Sequence, residues 1–134
     1  MSTRPISEVI ANQSVHTASA KTTVLAAAQS MAAAKVGSVL IVDGSGALEG
    51  IFTERDALVR VLAKGLDPAK TTLGEVMTTK LQTIPPSRPL GHALHMMFEG
   101  GFRHVPVVDN GKPVGMISAR DALGGEMVEF EHEL

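Results

Sequence analysis

The sequence predicts an α+β fold made of two tandem β-α-β-β-α repeats. An internal duplication is the first reason, because residues 115–123 repeat the pattern of residues 50–58 almost position for position. The second reason is that each copy follows a turn signal of the kind that joins two strands of a hairpin. Asp109 lies 66 residues after Asp43, whereas Gly115 lies 65 residues after Gly50. The two copies therefore differ by one residue in the turn.

Length and charge limit the classes of protein to which these repeats can belong. With 134 residues, the chain forms one ordinary domain or two very small ones, and a hydrophobic content of 44% is enough to close a core. Twelve Lys and Arg against 14 Asp and Glu give a net charge of -2. This balance provides no broad positive field for DNA, RNA or an anionic membrane. We therefore expect no nucleic-acid partner and no membrane partner.

Residue usage narrows the class further. No cysteine is present, which excludes disulfides, thiolate metal sites and thiol catalysis and fits a reducing cytosol. No apolar run approaches the roughly 18 residues of a membrane span. With no Trp, no Tyr and only four Phe, the chain has few aromatic platforms for stacked bases. We expect a soluble, cytoplasmic protein.

The first half contains the elements of one complete repeat. A lead-in helix is predicted over 6–13, a short extended piece over 15–17, a helix over 24–35, strands over 38–42 and 48–52, and a closing helix over 54–63. Thr53 is expected to cap the closing helix. The apolar spacing places Ala57, Leu58, Val61 and Leu62 on its buried side.

The second half repeats this order after a connector. A capping-box pattern at residues 72–75 opens a short helical turn. It is followed by an extended piece over 81–84, a helix over 90–100, a strand over 105–108 and a closing helix from Ala119. The expected division is a lead-in at 1–13, a first repeat at 14–66, a linker with a short helix at 67–80, a second repeat at 81–124 and an acidic tail at 125–134.

Each repeat ends in a corner where a strand runs into a helix. Thr53 and Ser118 are hydroxyl residues at the expected helix starts, and Asp56 and Asp121 follow three residues later. Such a carboxylate can accept hydrogen bonds from both hydroxyls of a ribose, and the helix start favours phosphate. The same pattern is also a capping box, which stabilises a fold by about 0.5 to 2 kcal/mol without any ligand. Both roles can coexist.

These residues together resemble the CBS domain pair, a family named after cystathionine β-synthase. The resemblance rests on two β-α-β-β-α units that end in Gly-apolar-x-(Ser/Thr)-x-x-Asp, and on Val76-Met77-Thr78 before the second unit. It covers nearly the whole chain. It implies a pseudo-twofold pair of repeats with two clefts that hold adenosine-containing ligands such as AMP, ADP, ATP, S-adenosylmethionine or NAD(H). It also implies a homodimer joined through helices.

The resemblance implies ligand contacts at the opening strand of each repeat, before its second strand and in its closing motif. These positions are His16, Gly37, Ser38, Thr53, Arg55, Asp56, Thr83, Ile84, Pro85, Arg103, His104, Ser118, Arg120 and Asp121. Strand packing is the alternative role for the opening-strand positions, and solvation is the alternative for Arg55 and Arg120. Arg103-His104 makes the second repeat the better-charged one. The first repeat lacks the proline that follows the opening strand, which predicts a looser or empty first cleft.

Two other constellations carry less chemistry. His92, His95 and Glu99 share one helix face, but a metal would need a further ligand, so we expect a wet or dimer-facing surface and no metal site. A triad can be drawn from Ser118, His104 and Asp121, yet no oxyanion-hole motif accompanies it. We therefore expect no catalytic residues and no enzyme activity.

The sequence thus predicts a regulatory module that senses an adenosine-containing ligand and reports its state to a partner protein. No obligatory cofactor is expected, because the adenine nucleotide acts as a regulatory ligand. The alternative is a protein-interaction scaffold of the same fold without a physiological nucleotide.

Overall fold

The computed structural model describes residues 4–121, which divide into two compact units. The first unit holds residues 15–81 and 111–113, and the second unit holds residues 4–14, 82–110 and 114–121. The helices are α1 (Ile6–Val9), α2 (Val24–Ala34), α3 (Glu54–Asp56), α4 (Leu73–Val76) and α5 (Leu90–Gly100). The strands are β1 (Thr17–Ala18), β2 (Ser38–Val42), β3 (Leu48–Thr53), β4 (His104–Asp109) and β5 (Lys112–Ser118). This mixed content in two repeats confirms the α+β fold class.

The first unit is built on a three-stranded sheet in the order β1-β2-β3. β1 runs parallel to β2, and β2 runs antiparallel to β3. Helix α2 begins at Thr23, whose side chain accepts a hydrogen bond from the Ala26 N–H at 3.2 Å. It ends at Lys35, which has a left-handed φ of 57°. Val24, Ala27 and Met31 are its buried residues, and they share a core with β2 and β3.

The closing helix of the first repeat differs from the regular α-helix expected over 54–63. After α3, residues Ala57–Leu62 form a π-helix, in which the Ala63 N–H donates to the Leu58 carbonyl at 2.8 Å. The wider turn breaks the 3.6-residue spacing on which the expected buried stripe depended. Val61 is buried as expected, but Leu58 and Leu62 are 57% and 73% exposed. Their predicted burial was wrong.

Both hairpin turns reverse the chain, one through side-chain hydrogen bonds and the other through left-handed backbone angles. In the first, Asp43 Oδ1 accepts hydrogen bonds from the N–H groups of Ser45 and Ala47 at 2.8 and 3.0 Å. A further hydrogen bond from the Ser45 hydroxyl makes the largest contribution to lowering the pKa of Asp43 below its ordinary value. In the second turn, Asn110 and Gly111 both have left-handed φ values, 52° and 79°. Two consecutive positive φ angles favour the Asn-Gly pair.

The second unit contains a two-stranded sheet, β4-β5. The extended piece expected over 81–84 is reduced there to one parallel bridge between Ile84 and Val107. The Ile84 N–H donates to Pro106 O at 3.1 Å, and its carbonyl accepts from the Val108 N–H at 3.0 Å. Pro85 and Pro86 follow directly and have no N–H to continue a ladder. This explains why the pairing stops at Ile84.

The short helices α1 and α4 are exchanged between the repeats. Helix α1 precedes the first repeat in the chain, yet Ile6 and Ile10 lie in the core of the second unit. Helix α4 precedes the second repeat, yet Leu73 and Val76 lie in the core of the first unit. Each lead-in helix therefore completes the core that the other half of the chain forms.

Matching backbone hydrogen bonds hold the two exchanged helices. The Ile6 N–H donates to Arg88 O at 2.9 Å, and the Leu73 N–H donates to Thr22 O at 2.8 Å. Pro5 forms an antiparallel bridge with Pro89, as Thr23 does with Thr72. The predicted capping box is present at α4, where Glu75 Oε2 accepts from the Thr72 N–H at 2.8 Å. None of the helices within residues 4–121 has both the length and the apolar character that a membrane crossing requires.

Candidate functional site

The first corner, residues Thr53–Asp56, lies where β3 runs into α3. Thr53 Oγ1 accepts from the Asp56 N–H at 3.2 Å and donates to Asp56 Oδ2 at 3.1 Å. The same Oδ2 accepts from the Thr53 N–H at 2.9 Å. The capping box predicted from Thr-x-x-Asp is therefore present. It fixes the Asp56 carboxylate at the start of the helix.

Two further predicted residues lie beside the first corner. Ser38 pairs with Thr53 across β2 and β3, and the Gly37 carbonyl accepts from the Glu54 N–H at 3.0 Å. A Cβ atom at Gly37 would collide with the Glu54 carboxylate. Glycine here allows the close approach of that side chain. Gly37, Ser38, Thr53 and Asp56 thus lie together where β2 and β3 meet the start of α3.

The second oxygen of Asp56 has partners that the sequence analysis did not identify. Oδ1 accepts from the Thr78 hydroxyl at 3.3 Å and lies 3.5 Å from Arg60 Nε. Arg60 Nη1 also lies 3.4 Å from Val76 O and 3.3 Å from Met77 O. The four-residue spacing of Asp56 and Arg60 on one helix was a detectable signal. The contact with Thr78, which lies 22 residues further along the chain, had no such signal in the sequence.

Within residues 4–121, the second corner, Ser118–Asp121, repeats the two hydrogen bonds that Asp56 Oδ2 accepts in the first. Asp121 Oδ2 accepts from the Ser118 N–H at 2.7 Å and from the Ser118 hydroxyl at 3.3 Å. The Ala119 N–H donates to Arg103 O at 2.9 Å, which brings Arg103 to this corner as Gly37 is brought to the first. Among the contacts within residues 4–121, no hydrogen bond reaches Asp121 Oδ1. His104 follows as the first residue of β4.

The remaining predicted residues have separate environments. His16 Nε2 lies 3.0 Å from the Ser30 hydroxyl on α2. Ile84 is buried in the core of the second unit, which is the strand-packing role left open above, while Thr83 and Pro85 on either side are exposed. Arg55 and Arg120 are exposed.

His95 and Glu99 on α5 are close enough to form an ion pair. His95 Nε2 lies 3.3 Å from Glu99 Oε1, and both side chains are largely exposed. Within the described part of the chain, no group of three or more His, Cys, Asp or Glu side chains could hold a metal ion.

The family follows from a direct comparison. The CBS domain model matches residues 6–63 and 73–125. The chain belongs to the CBS domain family. The two matches begin at the first residues of α1 and α4, so each exchanged helix is the start of its own CBS repeat.

Solved CBS pairs have the same fold. The CBS-domain-containing protein ATU1752 from Agrobacterium tumefaciens is 28% identical with a TM-score of 0.83, covering 93% of this chain and 95% of that one. The CBS domain pair of protein MJ0100, solved with 5′-methylthioadenosine and S-adenosyl-L-methionine, is 27% identical with a TM-score of 0.80. That match covers 91% of this chain and 97% of the MJ0100 chain.

Curated relatives include much longer proteins. The CBS domain-containing protein CBSCBSPB2 of Arabidopsis thaliana is 39% identical over 102 residues, which cover 76% of this chain and 19% of the relative. An uncharacterized protein of Methanopyrus kandleri is 30% identical over 136 residues, covering 93% of this chain and 69% of its own length. The chain spans about a fifth or less of the first three curated relatives that it matches.

Proposed function

We propose that this CBS pair is a cytoplasmic regulatory module, without catalytic activity, that binds an adenosine-containing ligand through a corner carboxylate. The supporting observation is the cap in each repeat, which holds an aspartate beside a hydroxyl at a helix start. The similar pair of MJ0100 was solved with two adenosine-containing compounds.

The chemistry of the cap suits a ribose. In each corner Oδ2 accepts the hydrogen bonds of the cap, so Oδ1 is the oxygen that a ligand hydroxyl would have to reach, and at Asp56 this oxygen already has protein partners. Hydrogen bonds from hydroxyls to a carboxylate are charge-assisted and stronger than neutral ones. Arg103 and His104 are the candidate phosphate partners at the second corner, and Arg55 and Arg120 are further cations near the two helix starts.

The regulatory step is differential binding. A ligand that prefers one arrangement of the protein, or of its assembly, shifts the equilibrium toward that arrangement. Cellular adenylates are abundant, so a Kd of about 10 μM to 1 mM, or roughly 4 to 7 kcal/mol, is enough for sensing. A few charge-assisted hydrogen bonds and a buried purine supply free energy of this size.

A thermal-shift panel tests the ligand. AMP, ADP, ATP, S-adenosylmethionine, 5′-methylthioadenosine and NADH are compared on the full chain. At a hundredfold excess over Kd a true ligand adds about 2.7 kcal/mol, which raises Tm by several degrees. The matched control for ATP is 2′,3′-dideoxy-ATP, which keeps the base and phosphates but lacks the ribose hydroxyls. Equal stabilisation by the two compounds would contradict the ribose contact.

If no adenosine compound shifts Tm at millimolar concentration, the scaffold function replaces the sensor. In that case the CBS pair would act by binding another protein through its helices, with the nucleotide playing no part.

We also propose that the module is a homodimer joined through helices. Supporting this, large apolar side chains are exposed on two helical segments, Leu58 and Leu62 in the first unit and Phe98 on α5 in the second. Phe98 is 87% exposed. Contact with a second copy would remove this apolar surface from water.

Sedimentation equilibrium tests the dimer. We expect a dimer at tens of micromolar, with Leu62→Glu and Phe98→Glu shifting it to monomer. Leu25→Glu, on an exposed position of α2, is the matched control. A wild type that stays monomeric at this concentration would contradict the proposal and favour a heterologous partner for the same surface.

A further inference from the structure

We infer that the two corners are not equivalent: Asp56, Arg60 and Thr78 form a linker clamp, and Asp121 is the carboxylate that receives the ligand hydroxyls. This inference rests on the proposed function and assigns its ligand to one of the two repeats. It follows from the partners of the two Oδ1 atoms.

The linker clamp holds Asp56 from two sides. The Thr78 hydroxyl and Arg60 Nε lie 3.3 and 3.5 Å from Asp56 Oδ1, and the Asp56 side chain is only 13% exposed. Arg60 Nη1 also donates to the carbonyls of Val76 and Met77, so one guanidinium connects the Asp56 carboxylate to the linker backbone. Asp56 Oδ1, the oxygen that a ligand would need, is therefore already engaged by protein groups.

Backbone pairing fixes the linker in place for this clamp. The Thr78 N–H donates to Ile51 O at 2.9 Å, and the Ile51 N–H donates to Thr78 O at 3.0 Å. Thr78 thus pairs with the edge of β3 at Ile51, and Ile51 lies two residues before Thr53, where the first corner begins. Its hydroxyl is held beside Asp56 by the sheet and needs no ligand to order it.

The two clamp donors have no counterpart by sequence offset in the second repeat. Aligning the exchanged helices, Ile6 with Leu73, places Ala11 at the position of Thr78. The 65-residue offset of the closing motif aligns Gly125 with Arg60 in the sequence. Neither residue has a side-chain donor. This agrees with the absence of any hydrogen bond to Asp121 Oδ1 from residues 4–121.

The different partners of the two Oδ1 atoms determine which hydrogen bonds a ligand hydroxyl must displace. A ribose hydroxyl approaching Asp56 has to displace the Thr78 hydroxyl and compete with Arg60 for the same oxygen. At Asp121 it has no hydrogen bond from residues 4–121 to displace on Oδ1. The Arg60 side chain is 44% exposed, so its ion pair is weak, and the hydrogen bond contributes more. We expect the first corner to bind about tenfold more weakly than the second.

Isothermal titration calorimetry on the full chain tests the assignment, with ATP and S-adenosylmethionine as probes. We expect the wild type to bind one tight equivalent of probe per chain, with the first corner filling only at about tenfold higher probe concentration. Asp121→Asn should weaken binding at least about tenfold, because it removes the charge from the hydrogen bonds to ribose. Asp56→Asn should weaken binding less than about threefold, an effect no larger than that of the exposed control Glu49→Gln.

A second variant tests the clamp directly. Combining Arg60→Met with Thr78→Val removes both donors and leaves Asp56 in place. This variant should bind its second equivalent at a lower probe concentration than the wild type does, and circular dichroism verifies its fold. If Asp121→Asn fails to fold, the wild-type stoichiometry and this double variant decide the question.

The outcomes separate the two proposals. Two equivalents of equal affinity in the wild type, or equal losses in Asp56→Asn and Asp121→Asn, overturn the inference and leave the sensor function standing. A second equivalent that binds no more tightly in the double variant than in the wild type also overturns it. If neither probe nor any compound of the thermal-shift panel binds the wild type, the proposed function itself fails, and the assignment of a ligand to Asp121 fails with it.

Discussion

Thr53 uses its hydroxyl in both directions at the first corner. Oγ1 accepts from the backbone N–H of Asp56 and donates to the carboxylate of the same residue. One side chain therefore satisfies an N–H in the first turn of α3 and also orients the acid. The cap gives Asp56 a stabilising role whether or not a ligand is present.

Removing this hydroxyl should lower the stability of the protein. We expect Thr53→Ala to reduce the free energy of unfolding by about 1 kcal/mol, because both cap interactions of Oγ1 are lost. Thr53→Ser is the matched control, since Ser118 occupies the equivalent position in the second repeat. Urea unfolding followed by circular dichroism measures both. An equal loss in Thr53→Ser would assign the effect to the methyl group and contradict the capping role.

Sequence spacing predicted the caps but not all their neighbours. Thr-x-x-Asp and Ser-x-x-Asp are local patterns, so the chain alone contains the information that places Thr53 against Asp56. Thr78 reaches Asp56 only after the linker has paired with β3. Local spacing has no access to such a contact, because tertiary packing determines which distant hydroxyl arrives.

Strand β5 shows how an element depends on a residue without a side chain. A Cβ atom at Gly115 would lie 2.7 Å from Ile10 Cβ and Cγ2, and one at Gly50 on β3 would lie 2.7 Å from Met77 Sδ. Real Cβ atoms essentially never approach so closely. Both glycines allow the segment after an exchanged helix to lie against the strand.

A methyl group at this position should disturb the packing. We expect Gly115→Ala to destabilise the protein by about 1 to 3 kcal/mol, because the buried Ile10 must move to admit it. Gly44→Ala is the control, since a Cβ atom there meets nothing within 4 Å. Chemical denaturation compares the two. If Ile10→Ala fails to relieve part of the Gly115→Ala penalty in the double variant, overpacking against Ile10 is not its cause.

At the edge of β5, a side-chain amide pairs with the strand where a backbone segment does so on β3. The Gln13 amide donates to Met116 O and accepts from the Met116 N–H, each at 2.9 Å. On β3, the backbone of Thr78 makes the corresponding pair with Ile51. An amide side chain has the same donor and acceptor as a peptide group, so it can serve as a strand partner.

At the level of elements, periodicity predicted what local sequence determines. Helix α5 has the bounds predicted, and α2 ends one residue earlier than expected. The π-helix after α3 was missed because a pattern read with a period of 3.6 residues assumes a regular α-helix. The extended piece expected at 81–84 pairs through Ile84 alone, and Pro85 and Pro86 have no N–H to continue the pairing beyond it.

At the scale of the whole molecule, each unit combines most of one repeat with the short helix that begins the other repeat. Sequence analysis treated residues 1–13 as a lead-in and 67–80 as a linker. In the structure α1 and α4 have equivalent positions, with Ile6 and Leu73 both fully buried. Their sequences, Ile-Ser-Glu-Val and Leu-Gly-Glu-Val, were a signal of this equivalence. Which core each helix would join was not encoded in any local pattern.

The exchange predicts where a substitution in the lead-in helix takes effect. We expect Ile6→Ala to cost about 2 to 5 kcal/mol, because it opens a cavity in the core of the second unit. Hydrogen exchange should accelerate first in β4 and β5, although they are nearly 100 residues away in the chain. Ser7→Ala, on an exposed position of the same helix, is the control. Loss of protection confined to β2 and β3 would contradict the placement of α1.

The closing acidic segment, residues 125–134, and most of the helix expected after Ala119 lie outside the described residues.

The exchanged helices also constrain how such a protein can arise and be divided. An ancestor with a single repeat would leave its own core uncovered and would present its lead-in helix to another molecule, so it would mature only as an intertwined pair. Joining two genes head to tail makes that mutual cover a property of one polypeptide. Proteolysis between residues 63 and 72 would then yield fragments that remain associated, because each carries the missing piece of the other.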